Sequence, residues 1–304
     1  MPGSSDESAA LSGLPGPATT VRNHGGFVAS CRSCYDSGFS PRTENMQASP
    51  FLEAAQAAAD AAEKVIRHYY EHGVDVETKA DDTPVTRADV ESEEAIRSII
   101  RERFPDHGFY GEETGQSDMD SDYVWLIDPI DGTKSFVRRY PFFSTQIALM
   151  YKGELILGLS SGPQFGERAW AEKGQGAWLN GERIGVEKGI TAVDRATLST
   201  GNLRSLAARG DCWSALGGIV AEVNRVRGYG DFYHYHLLAR GSIDCIVESD
   251  VNILDIAALA VIVREAGGTF TDLAGGELDL DTSTVLAAGT PELHATLRER
   301  LAWG

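Results

Sequence analysis

The sequence predicts a layered α/β sandwich, with a large, mostly antiparallel sheet followed by a smaller α/β half. Three observations carry this. Two stretches with helix start and stop signals stand at the front. A run of β-type segments joined by hairpin turns follows. Beyond residue 195, short apolar strands alternate with helical stretches, and that order builds stacked layers.

The elements follow in order. Residues 1–48 are rich in Ser, Gly, Pro and Asn without lasting periodicity and read as a disordered extension. They hold no basic segment leading into an apolar one, so no secretory signal is expected; a weak transit peptide and a non-functional extension both fit. Ser49 as N-cap and Pro50 in the first turn open a helix to about His72, stopped at Gly73. Residues 74–86 are polar, contain a proline and read as a loop. Thr86 and Asp89 have capping-box spacing for a second helix, which reaches Phe104 and ends before Pro105. Strands are expected at Tyr123–Asp128, Ser144–Tyr151, Leu155–Gly162, Arg168–Glu172 and Ala177–Leu179, with hairpin turns at Lys152-Gly153 and Asn180-Gly181. The Gly174-x-Gly176 pair reads as a turn. Then come strands at Ala196–Thr200, Val226–Tyr229, Cys245–Glu248, Thr269–Thr271 and Val285–Ala288, interleaved with helices over Cys212–Asn224, Phe232–Ala239 and Leu254–Ala266, and a last helix from Pro291. The chain divides into the extension (1–48), an α+β part (49–185) and an α/β part (186–304).

Composition narrows the function. Among 304 residues, 27 Lys plus Arg stand against 45 Asp plus Glu, a net charge of −18. That balance disfavours binding nucleic acid through its phosphates or docking on an anionic membrane. Hydrophobic residues make up 42 %, enough for a core, and no run of about 18 apolar residues occurs. Cys31 and Cys34 form a C-x-x-C without a second ligand pair, and Cys212 and Cys245 stand alone, which fits a reducing cytoplasm better than a disulfide framework.

The informative segment is Trp125-Leu126-Ile127-Asp128-Pro129-Ile130-Asp131-Gly132-Thr133. An apolar strand ends in Asp128, Pro129 turns the chain, and Asp131 follows three residues on. This spacing can gather two carboxylates and the Ile130 carbonyl around one point, a donor set suited to Mg²⁺ or Mn²⁺. Gly132 allows close approach of a ligand, and Thr133 offers a hydroxyl. Two further acidic groups stand elsewhere: Gly111-Glu112-Glu113, and Asp255 with Glu265-Ala266-Gly267-Gly268. Taken singly, Asp255 suits a helix N-cap, Asp128 and Asp131 an Asx turn, and Glu112-Glu113 a solvated pair.

In this order the blocks resemble the lithium-sensitive, metal-dependent phosphatases typified by inositol monophosphatase, over nearly all of residues 50–300. One departure is Leu254, where the family commonly has Trp. The resemblance implies an αβαβα sandwich, a homodimer, and two or three Mg²⁺ ions, with Mn²⁺ as an alternative. Glu112, Asp128, the Ile130 carbonyl and Thr133 would surround the first ion, and Asp128, Asp131 and Asp255 the second. Asp89 matches a residue that supports Thr133, and the loop around Lys79 matches a segment that closes over the site. Catalytic roles then fall to Glu112 and Thr133, which would orient a water, with Asp89 behind them, and to the Gly132 and Thr133 N–H groups, which would bind a phosphate oxygen.

Substrate choice is expected in the second half. Asp231 replaces the small residue common in inositol-type members, and Glu248 matches a substrate-contacting position. Two carboxylates there favour a cationic substrate over a neutral polyol. Gly230-Asp231, the Asp255-to-Leu259 run and Thr133-Lys134-Ser135-Phe136 together resemble the histidinol-phosphate phosphatase branch. The alternatives are inositol-1-phosphate hydrolysis, nucleotide 3′-phosphate hydrolysis and a non-catalytic metal-binding homologue. Asp231 could instead cap the following helix, and His234 and His236 read as packing or surface residues.

Overall fold

The computed structural model describes residues 48–73, 76–78 and 84–303. The extension over 1–47, the Cys31/Cys34 pair and Lys79 lie outside the described residues. Helix α1 (Pro50–His72) starts where Ser49 Oγ accepts the Leu52 N–H at 3.1 Å and stops at Gly73, whose φ of 92° no β-carbon-bearing residue adopts readily. The stretch expected to be a loop instead contains a two-stranded antiparallel ribbon, β1 (Val76–Thr78) and β2 (Pro84–Thr86). Its β-branched Val76, Thr78, Val85 and Thr86 favour extended backbone, a preference masked by the polar residues between them. Helix α2 (Arg87–Arg103) opens on the expected capping box of Thr86 and Asp89.

Next come β3 (Gly108–Gly111), β4 (Gly115–Ser117), β5 (Tyr123–Asp131), the short helix α3 (Thr133–Val137), β6 (Ser144–Tyr151), β7 (Glu154–Gly162), β8 (Glu167–Glu172), β9 (Ala177–Leu179) and β10 (Glu182–Ile184). They form an eight-stranded sheet in the order β10-β9-β8-β7-β6-β5-β3-β4, in which β3 and β5 are the parallel pair among the described residues. The turns at Lys152-Gly153 and Asn180-Gly181 have positive φ at both residues, the geometry that suits tight hairpins.

The second half contains β11 (Thr197–Thr200), α4 (Arg204–Ala208), α5 (Gly210–Glu222), β12 (Arg225–Arg227), α6 (Asp231–Ala239), β13 (Cys245–Ser249), α7 (Ile253–Glu265), β14 (Thr269–Thr271), β15 (Thr284–Ala288) and α8 (Pro291–Leu301). Its five strands order as β12-β11-β13-β15-β14, with parallel pairs at β11.

The result is five layers. Helices α1 and α2 cover one face of the large sheet, α6 and α7 fill the space between the sheets, and α5 with α8 cover the outer face of the small sheet. Side-chain alternation shows why both sheets are buried on both faces. On β13, Ile246 joins the central core with Phe232 and Leu259, while Cys245 and Val247 join the outer core with Leu216 and Leu293. Helix α7 is apolar all round, as a helix between two sheets must be. Gly158 on β7 lets it approach, since a β-carbon there would lie 2.2 Å from the Ala258 carbonyl oxygen.

Candidate active site

The strand expected to stop at Asp128 runs on to Asp131. Asp128 pairs with Gln146 and Asp131 with Ser144, so one extra residue of β5 is accommodated by a register shift. Pro129 therefore sits in a bulge rather than ending the strand, because a bulge needs no ladder N–H from it. The bulge places both carboxylates at one end of the large sheet. Asp128 Oδ1 accepts the Ile130 N–H at 2.9 Å, which fixes that carboxylate, and Ser144 Oγ donates to Asp131 Oδ2 at 3.3 Å. Gly132 has φ 85°, and a β-carbon on it would sit 2.5 Å from the Phe142 carbonyl oxygen, so the turn into α3 requires glycine twice over.

Asp255 arrives from α7. It is not the N-cap: Asn252 caps the helix, accepting from the Leu254 N–H at 2.7 Å, and Asp255 returns the bond by accepting the Asn252 N–H at 2.9 Å. Carboxylate oxygens of Asp128, Asp131 and Asp255 lie within 4.8 Å of one another. Glu112, Ile130, Thr133, Asp231 and Glu248 line the same cavity of about 510 Å³. Asp89 is fully buried behind it. Its Oδ2 accepts from Thr86 N and Oγ1, both at 2.7 Å, and the Thr133 hydroxyl stands 3.3 Å from Oδ1 and 3.1 Å from the Ile130 carbonyl.

The electrostatics are lopsided. Burial, then Glu112, Asp131 and Asp255, pushes the Asp128 carboxyl well above the ordinary range. Burial, then Asp255 and Asp231, does the same to Asp131. Burial raises Asp255 to about 7 and Asp89 to about 6. So many acids cannot all ionise in one enclosed place without a cation, and their all-oxygen donor set fits Mg²⁺ or Mn²⁺.

The carboxylates that α6 and β13 bring differ. Asp231 is the first residue of α6 rather than its cap; Gly230 holds the cap position and makes no side-chain bond. Burial, then Glu248, raises the Asp231 carboxyl to about 6. Burial works against ionisation of Glu248, yet His234, Tyr235 and Asn202 outweigh it and leave that carboxyl below its ordinary value. His234 and His236 are both buried, neither on the surface.

Glu93 went unanticipated. It is fully buried on α2 and accepts the Glu113 N–H at 2.7 Å and the Thr114 N–H at 3.2 Å, which holds the Glu112 turn. A β-carbon on Gly111 would meet its Oε1 at 2.0 Å. The available signal was its spacing of four from Asp89, which puts both acids on one face of α2. Glu112 and Glu113 are half-buried rather than a solvated pair. Glu265, in the last acidic block, lies away from the site and accepts the Gly174 and Gly176 N–H groups, both at 2.8 Å.

The five layers thus enclose an acidic, oxygen-lined cavity whose donor set suits divalent cations. Residues 47–302 match the inositol monophosphatase family model, and the chain belongs to that family. It is 39 % identical over 264 residues to the chloroplastic bifunctional phosphatase IMPL2 of Arabidopsis thaliana, covering 83 % of this chain and 75 % of that one. It is 38 % identical over 230 residues to a histidinol-phosphatase of Mycobacterium tuberculosis, covering 74 % and 88 %. Identity to an inositol-1-monophosphatase of Caulobacter vibrioides is 30 % over 254 residues, covering 82 % and 98 %. Among solved structures, the extragenic suppressor protein suhB of Bartonella henselae superposes with a TM-score of 0.75 at 30 % identity, covering 84 % of this chain and all of that one. Among the described residues, no helix is long and apolar enough to cross a membrane.

Proposed function

We propose that this protein is a Mg²⁺-dependent phosphomonoesterase that hydrolyses L-histidinol phosphate to L-histidinol and phosphate, as a cytoplasmic homodimer. The observation that carries the substrate is that Asp231 and Glu248 add two further carboxylates to the cavity, beside Asp131 and Asp255. The greater identity to a histidinol-phosphatase than to an inositol-1-monophosphatase supports it.

The roles follow from the placement of each group. Glu112, Asp128, the Ile130 carbonyl, Asp131 and Asp255 would hold the ions. Bound Mg²⁺ would neutralise the phosphate dianion, lower the pKa of water and stabilise the departing alkoxide. The Thr133 hydroxyl has one proton, which Asp89 or the Ile130 carbonyl takes, so its lone pairs are left to accept from a water. Glu112 orients the same water for in-line attack. The Gly132 and Thr133 N–H groups receive a phosphate oxygen, and the ammonium and imidazole of the leaving alcohol meet Asp231 and Glu248.

Phosphate release from histidinol phosphate, inositol 1-phosphate and adenosine 3′,5′-bisphosphate, each with Mg²⁺, tests this. Histidinol phosphate should have the highest kcat/KM, and Asp231→Ala should weaken that ester selectively. A preference for inositol 1-phosphate of about tenfold or more ends the histidinol reading. Asp131→Asn should abolish turnover with the circular dichroism spectrum retained, and near-normal turnover in that variant would sink the phosphatase assignment.

A further inference from the structure

Helix α6 carries a histidine that the reaction above does not use. His234 is fully buried, three residues after Asp231 and so on the same side of the helix. Burying an imidazole is costly unless both nitrogens are paired, and an apolar side chain would fill the space more cheaply. Nδ1 lies 3.2 Å from Ser199 Oγ, whereas Nε2 lies against Glu248 Oε2 at 3.2 Å without the alignment of a hydrogen bond.

Ser199 Oγ accepts the Tyr229 N–H at 3.3 Å, so its own proton is available to His234 Nδ1. With that proton given to Nδ1, the ring proton would sit on Nε2, on the side of Glu248. Tyr235 donates to the same Oε2 at 2.7 Å, and the Asn202 N–H donates to Oε1 at 3.1 Å. Oε2 thus accepts from Tyr235 with the His234 ring packed against it, and Oε1 keeps one acceptor position. That oxygen lies against Gly201, where a β-carbon would come within 1.7 Å of it, and Gly201 lines the cavity. The bare glycine wall is what exposes this last acceptor position.

His234 also ties three elements together: Ser199 on β11, Glu248 on β13 and its own α6. The start of α6 needs an anchor, since Asp231 has φ 45°, a left-handed conformation that non-glycine residues adopt at some cost.

We propose that His234 is a positioning residue for substrate selection: it packs against Oε2 of Glu248 and anchors α6, so that Oε1 is left as a single acceptor facing the leaving group, with Asp231 held beside it. The pocket so built takes the cationic, hydrogen-bond-donating end of an amino-alcohol phosphate monoester. The inference rests on the reading of Asp231 and Glu248 as leaving-group contacts.

The test is a double-mutant cycle of His234→Ala and Glu248→Gln, measuring kcat and KM with histidinol phosphate and with inositol 1-phosphate at saturating Mg²⁺. His234→Ala should raise KM for histidinol phosphate about tenfold with kcat within about threefold, and should be no worse in combination with Glu248→Gln than the weaker single variant. His234→Asn, which keeps a donor, should recover part of the loss; if the alanine variant does not fold, the asparagine variant takes its place in the cycle. Equal losses in kcat on both esters, additivity with Glu248→Gln, or no effect at all would overturn the role. The cycle is also run on whichever ester the wild type prefers. A wild type that prefers inositol 1-phosphate refutes the substrate reading, while additivity on the preferred ester refutes the role of His234.

Discussion

Asp255→Asn should make the metal-free protein more stable. Asp255 holds its carboxyl at about 7 in the fold against an ordinary 3.8, mainly through burial. A group whose folded pKa is raised costs stability in full above that pKa, and the cost fades as pH falls toward the unfolded value. At about 1.4 kcal/mol per pH unit, the gap from 3.8 to about 7 gives a cost of about 4 kcal/mol above pH 7. The asparagine keeps the Oδ1 needed to accept the Asn252 N–H but turns an amide toward Asn252 Nδ2, now 2.9 Å from the carboxylate; losing that bond costs about 1 kcal/mol. The net gain of about 3 kcal/mol corresponds to a Tm increase of about 5 °C for a chain of this size. The assay is thermal unfolding of wild type and variant in EDTA from pH 8 to pH 5. His107, His236 and His294, whose burial lowers their pKa, destabilise both proteins alike below about pH 6.5, so the difference between the two curves isolates Asp255. The difference should be greatest at pH 8 and shrink below pH 7, and saturating Mg²⁺ should reverse the order. A variant less stable than wild type in EDTA at pH 8 would refute the picture of carboxylates crowded beyond what the bare protein tolerates.

Two further outcomes follow from packing. Gly158→Ala would drive a β-carbon into the Ala258 carbonyl, so α7 must shift, at about 1–3 kcal/mol. Asp255 moves with it, and calorimetric titration should show weaker Mg²⁺ binding alongside a lower urea midpoint; an unchanged Mg²⁺ titration would mean that α7 does not set the site. Glu265→Ala removes the acceptor of two backbone N–H groups and should lower stability by about 2 kcal/mol in chemical denaturation, with kcat unchanged.

What could be read in advance was whatever rests on local rules. Ser49-Pro50, the Thr86/Asp89 capping box and the two hairpin turns are each set by neighbours within four residues, and each formed as expected. The boundary of β5 was misjudged because Pro129 normally ends a strand; only the register against β6 shows that a bulge absorbs it. Asn252 was overlooked as the cap of α7 because Asp255 and Asn252 are each good caps, and which residue caps depends on where the helix begins. Glu93 and His234 were hidden for a related reason. A glutamate on an amphipathic helix reads as solvated, and a histidine among aromatics reads as packing, until tertiary structure brings a turn N–H or a carboxylate to it.

The layers explain why the site lies where it does. Asp128 and Asp131 need the β5 bulge, Glu112 needs β3 held parallel beside β5, and Asp255 needs α7 pressed between the sheets. None of these elements could gather the acids alone, and burial of the apolar faces of β5 and α7 provides the energy that holds them together. The same burial raises the cost of every carboxylate it encloses. A chain of net charge −18 thus concentrates its least tolerable negative charge where folding is strongest. A divalent cation bound there would recover that cost as binding energy and invert the local sign, so that a phosphate would meet positive charge inside an acidic protein. Asp231 and Glu248 line the same cavity beside Asp131 and Asp255. With these two as leaving-group contacts, as proposed, a substrate carrying phosphate at one end and an ammonium at the other would match the field at both ends.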